Sequence, residues 1–289
     1  MKNRVYLACG VLLVAAMGGL LWWSPWEPRE PIYRGRPLRA WLKAYALCPV
    51  LISQGGAEAL AFPGMNQAIG RRMIAQLNAD EALRQAGTNA LPTLLWMLRA
   101  EDSALKVKLV ALAKRQCILR IEFTPAGTWN RAAQLGFSEL GAKAQSAVPA
   151  LIKAVNRSKS HNSLSGAILA LGSVGPSARE AVPLLLRCST NANKGVRGTA
   201  MWALGQIRTE PDRVVPMLIN SLHDPDDDIR WGAALSLRAF GPDAKLAVPA
   251  LIECHKASSD ATTRALVYLA LNSIDPDATA KAGVKMPSP

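Results

Sequence analysis

The chain has 289 residues, half of them hydrophobic but only 6% aromatic, and a formal net charge of +13. That length can bury a substantial core in one or two domains. The absence of a long low-complexity tract excludes a compositionally biased chain, and the low aromatic share fits Ala and Leu packed between closely spaced helices.

Residues 5–23 carry no charge and follow Lys2 and Arg4. As a helix they would span about 28 Å, close to the hydrocarbon thickness of a bilayer. Trp22, Trp23 and Trp26 then fall where an interfacial aromatic belt belongs. The competing reading is a cleaved signal peptide with Ala16-Met17-Gly18 at the cleavage site. Cleavage there leaves Leu20-Leu21-Trp22-Trp23 exposed at the new terminus, so residues 1–26 are expected to be an uncleaved anchor. Cys9 has too little apolar sequence before it for a lipoprotein. The short cationic tail favours retention in the cytoplasm and export of the rest, while Arg29, Arg34, Arg36, Arg39 and Lys43 count against export. The expectation is a membrane-anchored, extracytoplasmic protein. The alternative is a secreted or periplasmic one.

Residues 27–37 are rich in proline and charge and predict a stiff spacer. From Pro37, the residues Leu38, Trp41, Leu42 and Tyr45 take helical spacing, predicting a helix within 27–49 that caps the first repeat. A position on the membrane surface is the alternative, because Arg36, Arg39 and Lys43 accompany the aromatic face. Residues 50–127 read as degenerate helical repeats. Gln54-Gly55-Gly56 and Phe62-Pro63-Gly64 bracket a loop, Asn66 can open a helix, and 104–118 predict another with Leu105, Leu109, Leu112 and Ala113 on one side.

Residues 128–280 keep a regular beat. Ala147-Val148-Pro149, Ala181-Val182-Pro183, Val214-Val215-Pro216 and Ala247-Val248-Pro249 place their prolines 34, 33 and 33 residues apart. Such a period marks a repeat architecture. Proline's fixed φ and missing N–H suit the first turn of a helix, so each triplet opens a short second helix. Upstream lies a first helix. Counting back from Gly141, Gly175, Arg208, Gly241 and Asp275, the residues one, four and eight before are all apolar, which is one helical stripe. The glycines fit the residue just past a helix end; Arg208 and Asp275 predict corners that close differently. The unit is helix, tight turn, helix, then a loop. Strict alternation is absent and the runs are too long for strands, so a β reading fails.

Asp228-Ile229-Arg230, Ala233-Ala234-Leu235, Gly241 and Ala247-Val248-Pro249-Ala250-Leu251 resemble a HEAT repeat, of the short bacterial type also seen in phycobilisome-lyase-like proteins. The resemblance covers roughly residues 128–278. Gly87-Thr88-Asn89-Ala90-Leu91-Pro92-Thr93-Leu94-Leu95 resembles one more, shortened unit, with an insertion or degenerate pair before Pro149. The resemblance implies an all-α, armadillo-type fold, an α-solenoid of HEAT-like helical hairpins preceded by the transmembrane or signal helix. It implies a binding role without naming a ligand. Residues 278–289 are expected to fray, with 281–289 a disordered tail.

No catalytic constellation, cofactor motif or metal-ligand spacing emerges. His161, His223 and His255 lie near the ends of different repeats. The acidic run at 224–228 lacks the glycine and distal glutamate of a calcium loop and reads as helix capping. Cys188 and Cys254 take one small-residue position of the repeat, two units apart and too distant for a disulfide. Arg197, Arg230 and Arg264 recur in register, with Arg131 one residue out. They read as structural pairs with acidic residues such as Asp228 and Asp260, or else as a basic stripe.

Charge is the feature that points to a partner. Four residues after each repeat proline stand Lys153, Arg187, Asn220 and Glu253; eight after stand Arg157, Asn191, Asp224 and Ala257. Basic character fades and then reverses, whereas a phosphate track would hold its sign. A basic patch is therefore confined to the first two regular repeats, with Lys143, Lys153, Arg157, Lys159, Arg179 and Arg187 as candidates. The expected function is a non-enzymatic, membrane-tethered scaffold that binds a protein or peptide along its second helices. Lys153, Arg157 and Arg187 would attract an acidic segment. Nucleic-acid binding through the same basic half is the alternative. A lyase-like enzyme is a remote one that rests on the repeat resemblance alone.

Overall fold

A computed structural model describes residues 30–47, 63–115, 123–158 and 160–286. The anchor or signal expectation for residues 1–26 lies outside them, as do Cys9, Cys48, Cys117 and the Gln54-Gly55-Gly56 loop. Among the described residues no helix is long and apolar enough to cross a membrane.

The expected spacer is a hairpin from residue 32 on. Strands β1 (Ile32–Tyr33) and β2 (Arg36–Pro37) pair antiparallel, and Arg34 and Gly35 turn the chain at φ 48° and 70°. Helices α1 (Leu38–Leu47), α2 (Pro63–Ala86), α3 (Leu91–Leu98) and α4 (Ala104–Arg115) follow. In α1, Leu38 and Leu42 are fully buried. Trp41 donates its indole N–H to the Tyr33 carbonyl at 3.0 Å, and Trp41 and Tyr45 pack against the core. The aromatic side of this helix therefore faces the protein rather than a membrane surface.

The regular array has first helices α5 (Ala126–Leu140), α7 (His161–Val174), α9 (Lys194–Ile207), α11 (Asp227–Phe240) and α13 (Ala261–Ile274). Its second helices are α6 (Val148–Arg157), α8 (Val182–Cys188), α10 (Pro211–Ser221) and α12 (Val248–Ala257). Helix α1 packs on α2 and α5 and so covers one end. The insertion before Pro149 is α4 and its flanks. Every residue of the predicted stripe is buried; the most exposed, Leu140 and Phe240, reach only 5%.

The first helices pack side by side in chain order, and each second helix packs on the first helix that follows it. Close antiparallel pairing thus runs across the short loops, not across the glycine corners as expected. The corners explain this. Gly141–Ala147, Gly175–Ala181 and Gly241–Ala247 are 3₁₀ stretches, the last two kinked at Ala178 and Ala244, and their seven residues carry the chain away from the first helix before the second starts. Ala144, Ala178 and Ala244 anchor these stretches in the core. Gly141 opens its stretch at φ 51° and ψ −129°, backbone that a side chain rarely tolerates. Arg208 instead turns left-handed at φ 48°, with Glu210 at φ 55°, and Asp275 stays extended at φ −152°. Both corners close differently, as their residue types predicted.

Glycine also sets how near the first helices come. A Cβ on Gly172 would lie 2.9 Å from the Ala203 Cα, and one on Gly205 would lie 3.0 Å from the Ser236 Cα. Ser236 uses the proximity, donating its hydroxyl to the Met201 carbonyl at 3.0 Å.

Ser160, Asn193, Asp226 and Asp260 cap α7, α9, α11 and α13, each accepting a backbone N–H of the first turn. The Asp260 carboxylate takes the Thr263 N–H at 2.6 Å. That bond, first among its causes, holds its pKa below the usual carboxylate range. A depressed folded pKa contributes stability above the unfolded value and loses it as pH falls through the folded one. Asp260→Asn keeps an acceptor but cannot titrate. Its melting temperature should therefore fall less than that of the wild type between about pH 5 and pH 2, as thermal denaturation across that range would record.

Residues 276–281 form a helix where fraying was expected from residue 278. Helix α14 (Pro276–Lys281) is capped by Asp275, and Thr279 and Val284 are buried.

Candidate binding surface

Second helices present one buried side and one solvent side. In α6, Val148, Leu151 and Val155 are buried, which leaves Lys153 and Arg157 exposed one turn apart. In α8, Leu184, Leu185 and Cys188 face inward and Arg187 is exposed. Arg187 reaches back to α6 and donates to the Asn156 side-chain oxygen at 3.3 Å. Asn156 is the neighbour of Arg157 and three residues from Lys153, so Arg187 joins the helix that carries the other two cations. No carboxylate pairs with any of them among the described residues. At the matching positions of α10 and α12 stand exposed Asn220 and Glu253. The sign change anticipated from helix phase is present on the surface.

The other candidate cations do not join this cluster. Arg179 belongs to a 3₁₀ corner and pairs with Glu210 at 3.5 Å. Lys143 lies on the corner edge, lining a shallow depression of about 660 Å³ with Gln145, Ser146, Ser177 and Glu180. Lys159 lies outside the described residues.

The recurring arginines are structural, and two of them pair with aspartates as expected, although with Asp224 and Asp227 rather than Asp228 and Asp260. Arg264 donates to the Ser258 and Ser259 carbonyls at 3.1 and 2.9 Å. Arg197 donates to the carbonyls of Asn191 and Ala192 and pairs with Asp224 of the next unit at 3.5 Å. Arg230 bonds the Asp224 carbonyl at 2.6 Å and pairs with Asp227. Arg131 reaches the Ala46 carbonyl at the end of α1 at 3.5 Å. Asp260 and Asp228 are otherwise engaged, the first as a cap and the second with Lys194 at 3.5 Å. A signal for this role was present: Arg197, Arg230 and Arg264 each stand four residues after the cap of their helix, where a guanidinium can close the preceding loop.

Within the acidic run, Asp226 caps α11 through the Asp228 N–H and Asp224 accepts the Asp226 N–H. Cys188 and Cys254 are buried and free. Burial pushes both thiols above their ordinary pKa, which keeps them protonated and unreactive near neutrality. Among the described residues no three His, Cys, Asp or Glu side chains gather as a metal site.

The family model described as HEAT repeats matches residues 183–272. No curated protein matches the chain. Solved structures to which the chain shows some similarity include the complex of CpcE and CpcF of phycocyanin lyase from Nostoc sp. PCC7120. It is 20% identical, with 63% of this chain and 98% of that one covered and a TM-score of 0.45. A designed armadillo repeat protein in complex with the peptide (KR)4 is 14% identical, with 69% and 94% covered and a TM-score of 0.45. An engineered protein is 19% identical, with 70% and 92% covered and a TM-score of 0.38. The regular part of the chain is a HEAT-like helical solenoid, with the family match covering residues 183–272 of it.

Proposed function

We propose that the protein is a non-enzymatic scaffold, tethered to a membrane by residues 1–26, which binds an acidic segment of a protein or peptide on the second-helix side of α6 and α8. One observation carries the reading. The Arg187–Asn156 bond brings Arg187 to the helix that exposes Lys153 and Arg157, and none of the three pairs with a carboxylate among the described residues, while Arg179, Lys194, Arg197, Arg213, Arg230 and Lys245 are each paired within the array. Unneutralised cations on a rigid two-helix platform attract anions at little reorganisation cost. The reversal to Glu253 limits the favourable stretch to two units, which suits a short acidic segment better than a long polyanion. The proposed location is extracytoplasmic.

Fluorescence anisotropy with a labelled Glu- and Asp-rich peptide tests this. The peptide should bind, and its affinity should weaken as salt screens the cluster. Tighter binding of duplex DNA, with log affinity falling about 0.9 per phosphate against log salt, would give the surface to nucleic acid instead. No binding of either would remove the recognition site.

A further inference from the structure

Helix α2 is apolar on both sides for part of its length. Ala79, Ala82, Leu83 and Ala86 are buried on its inner side, while Met73, Ile74 and Leu77 are 62%, 61% and 56% exposed on nearly the opposite side. A water-facing helical side is ordinarily polar. Here Gln76 alone interrupts the exposed apolar residues before Glu81, Arg84 and Gln85 follow a turn later.

The hairpin extends the patch. Arg34 donates to the Asn78 side chain of α2 at 3.3 Å, and Tyr33, Arg34 and Leu77 line one groove. Ile32 of the same hairpin is 74% exposed and borders a separate depression with Ala82, Gln85 and Ala86 of α2. Arg34 and Arg36 are exposed, with guanidinium groups 5.0 and 5.4 Å from the centres of the Tyr33 and Trp41 rings. Neither has a carboxylate partner among the described residues. An exposed apolar group rimmed by cations is the composition of an interfacial membrane contact.

The chain's own connectivity supplies the occupant. The uncharged residues 5–23 end nine positions before Ile32, and nine residues span at most about 32 Å when fully extended. With that segment in a bilayer, the hairpin and the apolar part of α2 are held within this reach of the lipid headgroups.

We infer that Met73, Ile74 and Leu77, with Arg34 and Arg36 of the adjoining hairpin, rest on an anionic lipid surface, which orients the solenoid relative to the membrane. The apolar side chains enter the headgroup boundary and the guanidinium groups meet lipid phosphates. This rests on the anchor proposed for residues 1–26.

Two exposed methionines provide the test, Met73 in the patch and Met286 at the far end of the array, 51% exposed. The full chain is reconstituted in phosphatidylcholine vesicles with and without phosphatidylglycerol, separated by flotation and treated with peroxide. Sulfoxide at each methionine is then followed by mass spectrometry. Relative to Met286, Met73 should oxidise about fivefold more slowly or less in the anionic vesicles than in detergent. Arg34→Glu with Arg36→Glu should restore its rate while the chain still floats. A chain that floats with Met73 as reactive as in detergent keeps its anchor and overturns the surface contact. A chain that does not float overturns the anchor and the contact together. Protection that grows with protein concentration at fixed lipid would seat a second copy on the patch and overturn the lipid assignment.

Discussion

Gly172→Ala is expected to destabilise the solenoid, although alanine is the better helix former. The propensity gain is about 1 kcal/mol. Against it, the new methyl would lie 2.6 Å from the Trp202 Cζ3 and 2.9 Å from the Ala203 Cα. The indole can turn aside but the backbone of α9 cannot, so α7 and α9 must move apart. Overpacking of this kind costs about 1–3 kcal/mol, and the clash outweighs the propensity.

Gly232→Ala is the matched control. Its methyl would meet only the Met201 Cε at 3.7 Å, an ordinary contact with the end of a flexible side chain. That variant should be neutral or up to about 1 kcal/mol more stable. Guanidinium denaturation of both full-length variants, followed by circular dichroism, separates the two cases. Equal behaviour would mean that the first helices are not in close contact at Gly172.

The apolar stripe was legible in the sequence because a helix repeats its buried side every three or four residues, and Phe137, Leu171, Leu204, Leu237 and Leu271 kept that register across five units. The corner types at Arg208 and Asp275 were legible too, since neither residue tolerates the glycine conformation. The 3₁₀ stretches were overlooked. Their sign was the spacing of three between Ala144 and Ala147, Ala178 and Ala181, and Ala244 and Ala247, which is the period of that helix. Missing it led to pairing each second helix with the wrong neighbour.

For the binding surface, helix phase alone placed Lys153, Arg157 and Arg187 on the solvent side. That Arg187 reaches α6 depends on the offset between α6 and α8, which no single-helix pattern encodes and which the Arg187–Asn156 bond reports. Arg179 was misplaced because its segment is a corner rather than a helix. The acidic partners of the arginine ladder were legible for Arg197 and Arg230, whereas its loop-carbonyl partners were not, because carbonyls leave no letter in the sequence.

Lys153→Glu combined with Arg187→Glu should weaken binding of an acidic peptide by about tenfold or more at low salt. Each reversal turns an attraction into a repulsion, and a unit-charge contact at 4 Å is worth about 1 kcal/mol in water before screening. Both side chains are exposed and neither fills the core, so folding should be unaffected and the loss should appear in affinity alone. Asn220→Lys, at the same phase one unit further along, should strengthen binding of a longer acidic peptide.

The most direct measurement is the anisotropy titration of the acidic peptide against the wild type and the Lys153→Glu, Arg187→Glu double variant, both shown to be folded by circular dichroism. The account predicts a large drop in affinity that raised salt progressively erases. Equal affinities at low salt would contradict it.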